Sequence, residues 1–271
     1  MGPPLPRIAA LLPWVLAAMG AAPGAVQAAS LYVAPVRVVL TPSRPVASLT
    51  LGSGEEEEEE EEEAEVAVQA EVMAWSQENG QDIYQPTREV LVNPSIFRLS
   101  PGAQQIVRLG LQVPAADTER SYRIFFQQLP RDQALPRDGT RGAQLQTLLR
   151  LAAPIFVPPA GPSRQDAQWR LQRASPSSAT SGGSGHVLSL DNRGTDHLQL
   201  TQILVRREGG TELLRKNMSL YVLPGRSADV ALDLPPLAPG SSLQIDAASD
   251  APTALPAATV HIPRADTAPR Q

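Results

Sequence analysis

The chain has 271 residues, a formal net charge of −5, 42% hydrophobic residues and no cysteine. The length suits one large or two ordinary domains, and the apolar fraction is enough for a buried core, which excludes wholesale disorder. Without cysteine there is no disulfide framework, thiol nucleophile or cysteine-ligated metal, and three histidines leave little for a histidine-rich metal centre.

Twenty-seven prolines and 19 glycines favour many turns and short strands over long helices. The acidic balance has one source: Glu55 to Glu63 supplies nine negative charges, so net charge says little about an anionic partner. That run reads as a solvated loop of mutually repelling charges. It lacks the spaced oxygen ligands of a cation site.

The chain opens with Arg7, an apolar stretch from Ile8 to about Ala22, and small residues leading to Val26-Gln27-Ala28. Basic, then apolar, then a small-residue cleavage site is the order of a secretory signal peptide. Pro13 and Gly20 interrupt the apolar stretch, which falls short of the ~20 continuous apolar residues of a membrane span. Residues 1–28 are therefore expected to be removed, leaving an exported chain without stable membrane insertion.

Strands then follow in sequence. Leu31 to Leu40 is rich in valine and leucine. From Glu65 to Trp75, Val66, Val68, Ala70 and Val72 share one parity and Glu65, Gln69 and Glu71 take the other, the period of a half-buried strand. Asn79-Gly80 marks a turn. Leu99-Ser100-Pro101-Gly102 marks another and leads into a strand through Gln105 to Leu109. Ser121 to Leu129 is a strand ended by Pro130. Arg131 to Ala143 reads as a polar loop, Leu145 to Val157 as a strand, and Pro158-Pro159 with Gly161-Pro162 as a stiff linker.

The second half repeats the style. Trp169–Leu171, His186–Leu190, Leu198–Arg206, Leu213–Val222, Ala228–Leu232, Leu243–Ile245 and Ala258–Ile262 read as short strands. Ala174 to Gly185 is a Ser/Gly-rich loop; Asp191-Asn192-Arg193-Gly194 and Leu223-Pro224-Gly225 are turns. Strands about 8–12 residues apart predict an all-β chain of two sandwiches. The expected division is 29–158 and 159–271.

No Gly-rich phosphate loop, His-Glu-x-x-His or Gly-x-Ser-x-Gly pattern is present, so an enzyme is not expected and neither is a cofactor. Asp196-His197 beside a turn reads as a solvated loop pair. No basic pattern points to nucleic acid.

Four stretches resemble the PapD-like periplasmic pilus-assembly chaperones: Val33-Ala34-Pro35-Val36-Arg37-Val38; Trp75 with Asn79-Gly80 and Pro86-Thr87-Arg88; Asn93 to Gly102 running into Gln105-Ile106-Val107-Arg108; and Glu119-Arg120-Ser121-Tyr122-Arg123. Each motif alone is weak, but their order and spacing are specific. The Pro-x-x-Phe-x-Leu-x-Pro-Gly-x-x-Gln-x-x-Arg run is most similar to the archaic branch, which serves spore-coat-protein-U-like pilins.

The resemblance implies two immunoglobulin-like domains with a cleft between them and a chaperone that is not an enzyme. The implied partners are pilin subunits and an outer-membrane usher, met in the periplasm. Such a chaperone lends a strand to a subunit that lacks one, a case of β-augmentation. The lending strand would be 144–156, with Leu145, Thr147, Leu149 and Leu151 filling the subunit's groove. From the pattern alone, these leucines read first as core; the resemblance assigns them to the groove.

The resemblance also makes Arg37 an anchor for the subunit's terminal carboxylate, a task suited to a guanidinium. The family's second basic anchor is missing at its usual place, where Pro154 stands, and Arg150 is the nearest substitute. Arg108 and Glu119 match positions that form a buried ion pair with a second-domain acid, here expected to be Asp246. The alternative to this whole reading is a secreted two-domain β-sandwich adhesin or structural pilus component.

Overall fold

The computed structural model describes residues 30–54, 65–130, 147–173, 184–249 and 255–263. The expected signal segment, the glutamate run, the 131–143 loop and most of the 174–185 loop lie outside the described residues.

The described residues form strands and no helices. The first ten are β1 (Leu31–Ala34), β2 (Val38–Val39), β3 (Val46–Ser53), β4 (Val66–Glu78), β5 (Gln81–Pro86), β6 (Val90–Asn93), β7 (Ile96–Leu99), β8 (Gln104–Leu111), β9 (Arg120–Gln128) and β10 (Arg150–Val157). They build one sheet in the order β1-β3-β8-β6 and another in the order β2-β10-β9-β4-β5, with β7 also on β4. The next seven are β11 (Ala167–Arg173), β12 (Ser184–Asn192), β13 (Leu198–Arg207), β14 (Glu212–Val222), β15 (Ser227–Leu234), β16 (Ser242–Ser249) and β17 (Ala258–His261). They form sheets β11-β12-β15 and β14-β13-β16-β17.

Each pair of sheets encloses its own core, one drawn from residues between Val38 and Val157 and the other from Leu171 to Ile262. Alternation explains both. On β4 the buried residues up to Val72 are Val66, Val68, Ala70 and Val72. On β15 they are Ala228, Val230, Leu232 and Leu234. Both fit a strand with one apolar and one polar face.

The Asn79-Gly80 turn is a two-residue hairpin joining β4 to β5, with both residues at positive φ (50° and 74°). That geometry is the reason for Asn-Gly at this point. Gly194 serves packing instead. A Cβ there would lie 2.3 Å from the Arg164 carbonyl oxygen, so only glycine lets the two segments approach. Buried Asn192 holds the same turn by donating to the carbonyls of Asp196 and Val222 and accepting from Gly194 N–H.

Several expectations shift. The Leu31–Leu40 stretch is two strands in different sheets, separated by a cis Ala34–Pro35 peptide. Arg37 therefore sits between strands rather than on one. Strands β3, β5, β6 and β7 had no sequence prediction. The predicted strand from Leu145 begins only at Arg150, and β12 starts at Ser184, inside the predicted loop.

Candidate functional site

The two sandwiches meet where β4 changes the face it buries. Up to Val72 its even-numbered residues face the first core; beyond that, odd-numbered Trp75 and Gln77 are buried. These two lie against the second sandwich. Trp75, Phe156 and Leu223 form a small buried cluster with Tyr84 and Tyr221 packed on it. Trp75 meets Tyr221 edge-on at 5.3 Å between ring centroids, a favoured aromatic geometry. β10 shows the same double burial: Ala153 to Val157 is buried without a break, because both faces are covered there.

Beside this cluster lies a pocket of about 400 Å³, lined by Val36, Arg37, Arg123, Ala152 and Pro154 from the first sandwich and by Gln199, Ser219 and Tyr221 from the second. Two cations line it and no carboxylate does. Arg37 Nη2 donates to Gln199 Oε1, and its guanidinium lies 5.9 Å from the centre of the Phe156 ring.

Arg123 is the register partner of Pro154 across β9 and β10. Its guanidinium sits 4.1 Å over Trp75, a cation–π contact, and donates to Tyr84 Oη at 2.7 Å. Its buried Nε has no hydrogen-bond partner among the described residues. Asp82 stands behind Arg123 at 3.6 Å and accepts from Gln77 and Tyr84, each at 2.9 Å. Burial opposes the Asp82 charge, but these hydrogen bonds and the Arg123 guanidinium hold its carboxyl below the usual carboxylate range. Burial, together with the hydrogen bond to Asp82, pushes the Tyr84 hydroxyl up to about 12. The Tyr84 hydroxyl thus donates to Asp82 while accepting from Arg123.

The second feature is an open strand edge running into the pocket. Gln128 N–H donates to the Leu149 carbonyl, whereas Leu40 N–H donates to the Phe156 carbonyl from the other side. By strand alternation, odd residues of β10 bond to β9 and even residues point their backbone groups away. The short parallel β2 pairs only with Ile155 and Phe156. Upstream, β10 has β9 on one side and no other strand among the described residues. Arg150 and Ala152 present N–H and C=O to that edge; Pro154 presents C=O alone.

The structure brings Arg37 to the pocket and leaves Arg150 outside its lining. The Arg150 guanidinium instead packs 4.0 Å over Phe125. Arg123 is the cation that sequence reasoning missed, although the quoted Glu119–Arg123 stretch contained it; only strand register places it beside Pro154. Leu145 lies outside the described residues. Thr147 is exposed, while Leu149 and Leu151 are half-buried. These two leucines continue the parity of Ala153, Ile155 and Val157, and Leu151 packs against the first core.

Two expected pairings are corrected. Asp246 pairs with Arg206 on the neighbouring strand of its own sheet, and Arg108 is exposed on β8. Glu119 does reach the second sandwich, but its partner is His197, whose Nδ1 lies 2.8 and 2.9 Å from the two carboxylate oxygens. His197 is not a solvated loop residue: its ring stacks on Phe156 at 3.7 Å with 9° between planes. The turn held by Asn192 and Gly194 delivers it there, and Glu119 N–H donates to the Thr195 carbonyl of that turn at 2.9 Å.

Comparison with known proteins accords with this geometry. Residues 30–163 match the family described as pili and flagellar-assembly chaperone, PapD N-terminal domain. No curated protein matches the chain in sequence. Among solved structures, the chain is similar to one from the CsuC-CsuE chaperone-tip adhesion subunit pre-assembly complex of Acinetobacter baumannii archaic Csu pili. The TM-score is 0.57 at 16% identity, covering 85% of this chain and 98% of that one. It is also similar to one from the Salmonella enterica SafA pilin–SafB chaperone complex, with TM-score 0.53 at 16% identity and coverage of 88% and 99%. At these identities the likeness establishes the fold: two immunoglobulin-like β-sandwiches. With residues 30–163 matched, the first sandwich belongs to the family of pili and flagellar-assembly chaperone PapD N-terminal domains, and the chain as a whole has the two-sandwich fold of these solved structures.

Proposed function

We propose that this protein captures pilin subunits in the periplasm by lending them β10, keeps them soluble, and passes them to an outer-membrane usher. The observation that carries the reading is the open edge of β10 ending at a two-cation pocket. An incomplete β-sandwich exposes an unpaired edge, which is an aggregation hazard. Pairing with the free backbone groups of Arg150 and Ala152 would cover it. Leu149 and Leu151 would enter the subunit's groove, with Thr147 and Leu145 preceding them.

A subunit whose chain ends in the pocket and pairs upstream along β10 must run parallel to β10, as β2 does. Its terminal carboxylate would lie between Arg37 and Arg123, where charge-assisted hydrogen bonds are strongest because both cations are partly shielded from water. Arg123 thereby takes the role expected of Arg150. The run from Pro94 to Arg108, similar to the archaic branch, supports a subunit of the spore-coat-protein-U-like class. The family consists of chaperones, and the reading assigns no enzymatic role and no cofactor.

Co-expression in a bacterial periplasm with the pilins encoded beside this protein tests the proposal. The expected result is a soluble one-to-one complex by affinity capture and size exclusion, with the pilin lost when the chaperone is absent. Folded protein that captures none of these pilins would overturn it and favour the adhesin or structural-component reading.

A further inference from the structure

We infer that Gln77 is a positioning residue that sets the second sandwich against the first and thereby holds Tyr221 and Arg123 in place around the pocket. The inference deepens the proposed carboxylate anchor and rests on that reading for its effect on binding.

Gln77 is only 5% exposed, and a buried side-chain amide must have its polar atoms satisfied. Here the partners come from both sandwiches. Its Nε2 donates to Asp82 Oδ1 and to the Tyr221 carbonyl, both at 2.9 Å. Its Oε1 accepts from Leu223 N–H at 2.9 Å. One amide thus fastens the end of β14 to the β4–β5 hairpin by two bonds to backbone and one to a carboxylate.

Both ends of that bridge reach the pocket. Tyr221 is a wall of it. Asp82 holds Arg123 directly and through Tyr84, which donates to the carboxylate while accepting from Arg123. No apolar residue of similar size could substitute, because it would leave Leu223 N–H and the Tyr221 carbonyl buried without partners. A glutamate would keep the acceptor for Leu223 N–H, but it would set a second carboxylate against Asp82 and an oxygen against the Tyr221 carbonyl.

The inference predicts a change in cleft geometry rather than a simple loss of fold. The test uses residues 29–271 with Trp169→Phe, which leaves Trp75 as the sole tryptophan, beneath Arg123 and against Tyr221. Acrylamide quenching of Trp75 then reports the cleft without any ligand. Gln77→Leu and Gln77→Glu are each expected to raise quenching. They should also erase the preference for a pilin C-terminal peptide as the free acid over its C-terminal amide, a preference expected to be about tenfold in the parent.

If the leucine variant does not fold, the glutamate variant decides alone. Parent-like quenching in a folded variant would overturn the inference. A parent that binds acid and amide equally would instead sink the carboxylate-anchor reading, while the quenching result would still decide the role of Gln77. Parent-like acid preference alongside raised quenching would restrict Gln77 to joining the sandwiches and overturn its link to Arg123.

Discussion

Arg37 and Arg123 approach the pocket from separate segments, so truncating either should leave the other standing. Arg37→Ala and Arg123→Ala are each expected to weaken capture of a pilin with a free C-terminus by about 10- to 100-fold, the worth of a charge-assisted hydrogen bond. Calorimetric titration with the C-terminal peptide measures this; unchanged affinity would remove that arginine from the site. Asp82 carries a pH signature. Its native pKa lies below the ordinary value of 3.8, so it contributes stability above that value and loses it as pH falls through the native pKa. Asp82→Asn should flatten the fall of the thermal midpoint below about pH 4, and a profile identical to the parent would contradict the network. Arg37 was legible in the sequence because its neighbours form a recognisable run. Arg123 was not, because a strand's partner residue is set by register between segments far apart in the chain.

At the scale of the strand, β10 engages β9 along one edge; along the other, β2 pairs at Ile155 and Phe156 and no strand among the described residues pairs upstream. Proline scanning separates the two edges. Ala152→Pro removes an N–H directed to the open edge and should spare the fold while lowering complex yield. Ala153→Pro removes an N–H directed to β9 and should destabilise the first sandwich. Equal thermal losses in the two variants would refute the assigned alternation. Leu149→Glu should abolish complex formation by placing a charge in the subunit's apolar groove; a normal yield would mean that another residue fills it. The long alternating strands were readable from period alone. Strands β5, β6 and β7 were not, since four to six residues with mixed polarity give no clear period. The buried odd positions Trp75 and Gln77 break the alternation of β4 for a physical reason: the strand outruns its own core and is covered by the other sandwich.

Across the whole molecule, the sandwiches are joined by the aromatic cluster, the Gln77 amide and the Glu119–His197 pair. Among the described residues, His197→Ala would leave the Glu119 carboxylate, whose side chain is 5% exposed, with the backbone N–H of residue 197 at 3.2 Å as its remaining partner. A cost of about 1–3 kcal/mol is expected. Because the loss falls at the junction, calorimetry should show the sandwiches melting separately in the variant and together in the parent; a single transition with the parent's midpoint would show that the pair contributes nothing to the junction. Two sandwiches could be read from strand spacing. Their junction could not, because the histidine and glutamate that meet there are 78 positions apart.

The closed end of the β10 edge has a further consequence. β2 occupies the strand at Ile155 and Phe156, and the pocket lies beside Pro154, so a guest chain paired upstream would meet a fixed stop. Leu149 lies five residue steps before Pro154, roughly 16 Å of strand at about 3.3 Å per residue. On the proposed reading, the protein would work as a ruler read from the guest's last atom. One residue added to a pilin's C-terminus would rotate every upstream side chain to the wrong face. Two would restore the face but shift each contact by about 7 Å. Length from the terminus, independent of composition, would then become a criterion by which clients are accepted or refused.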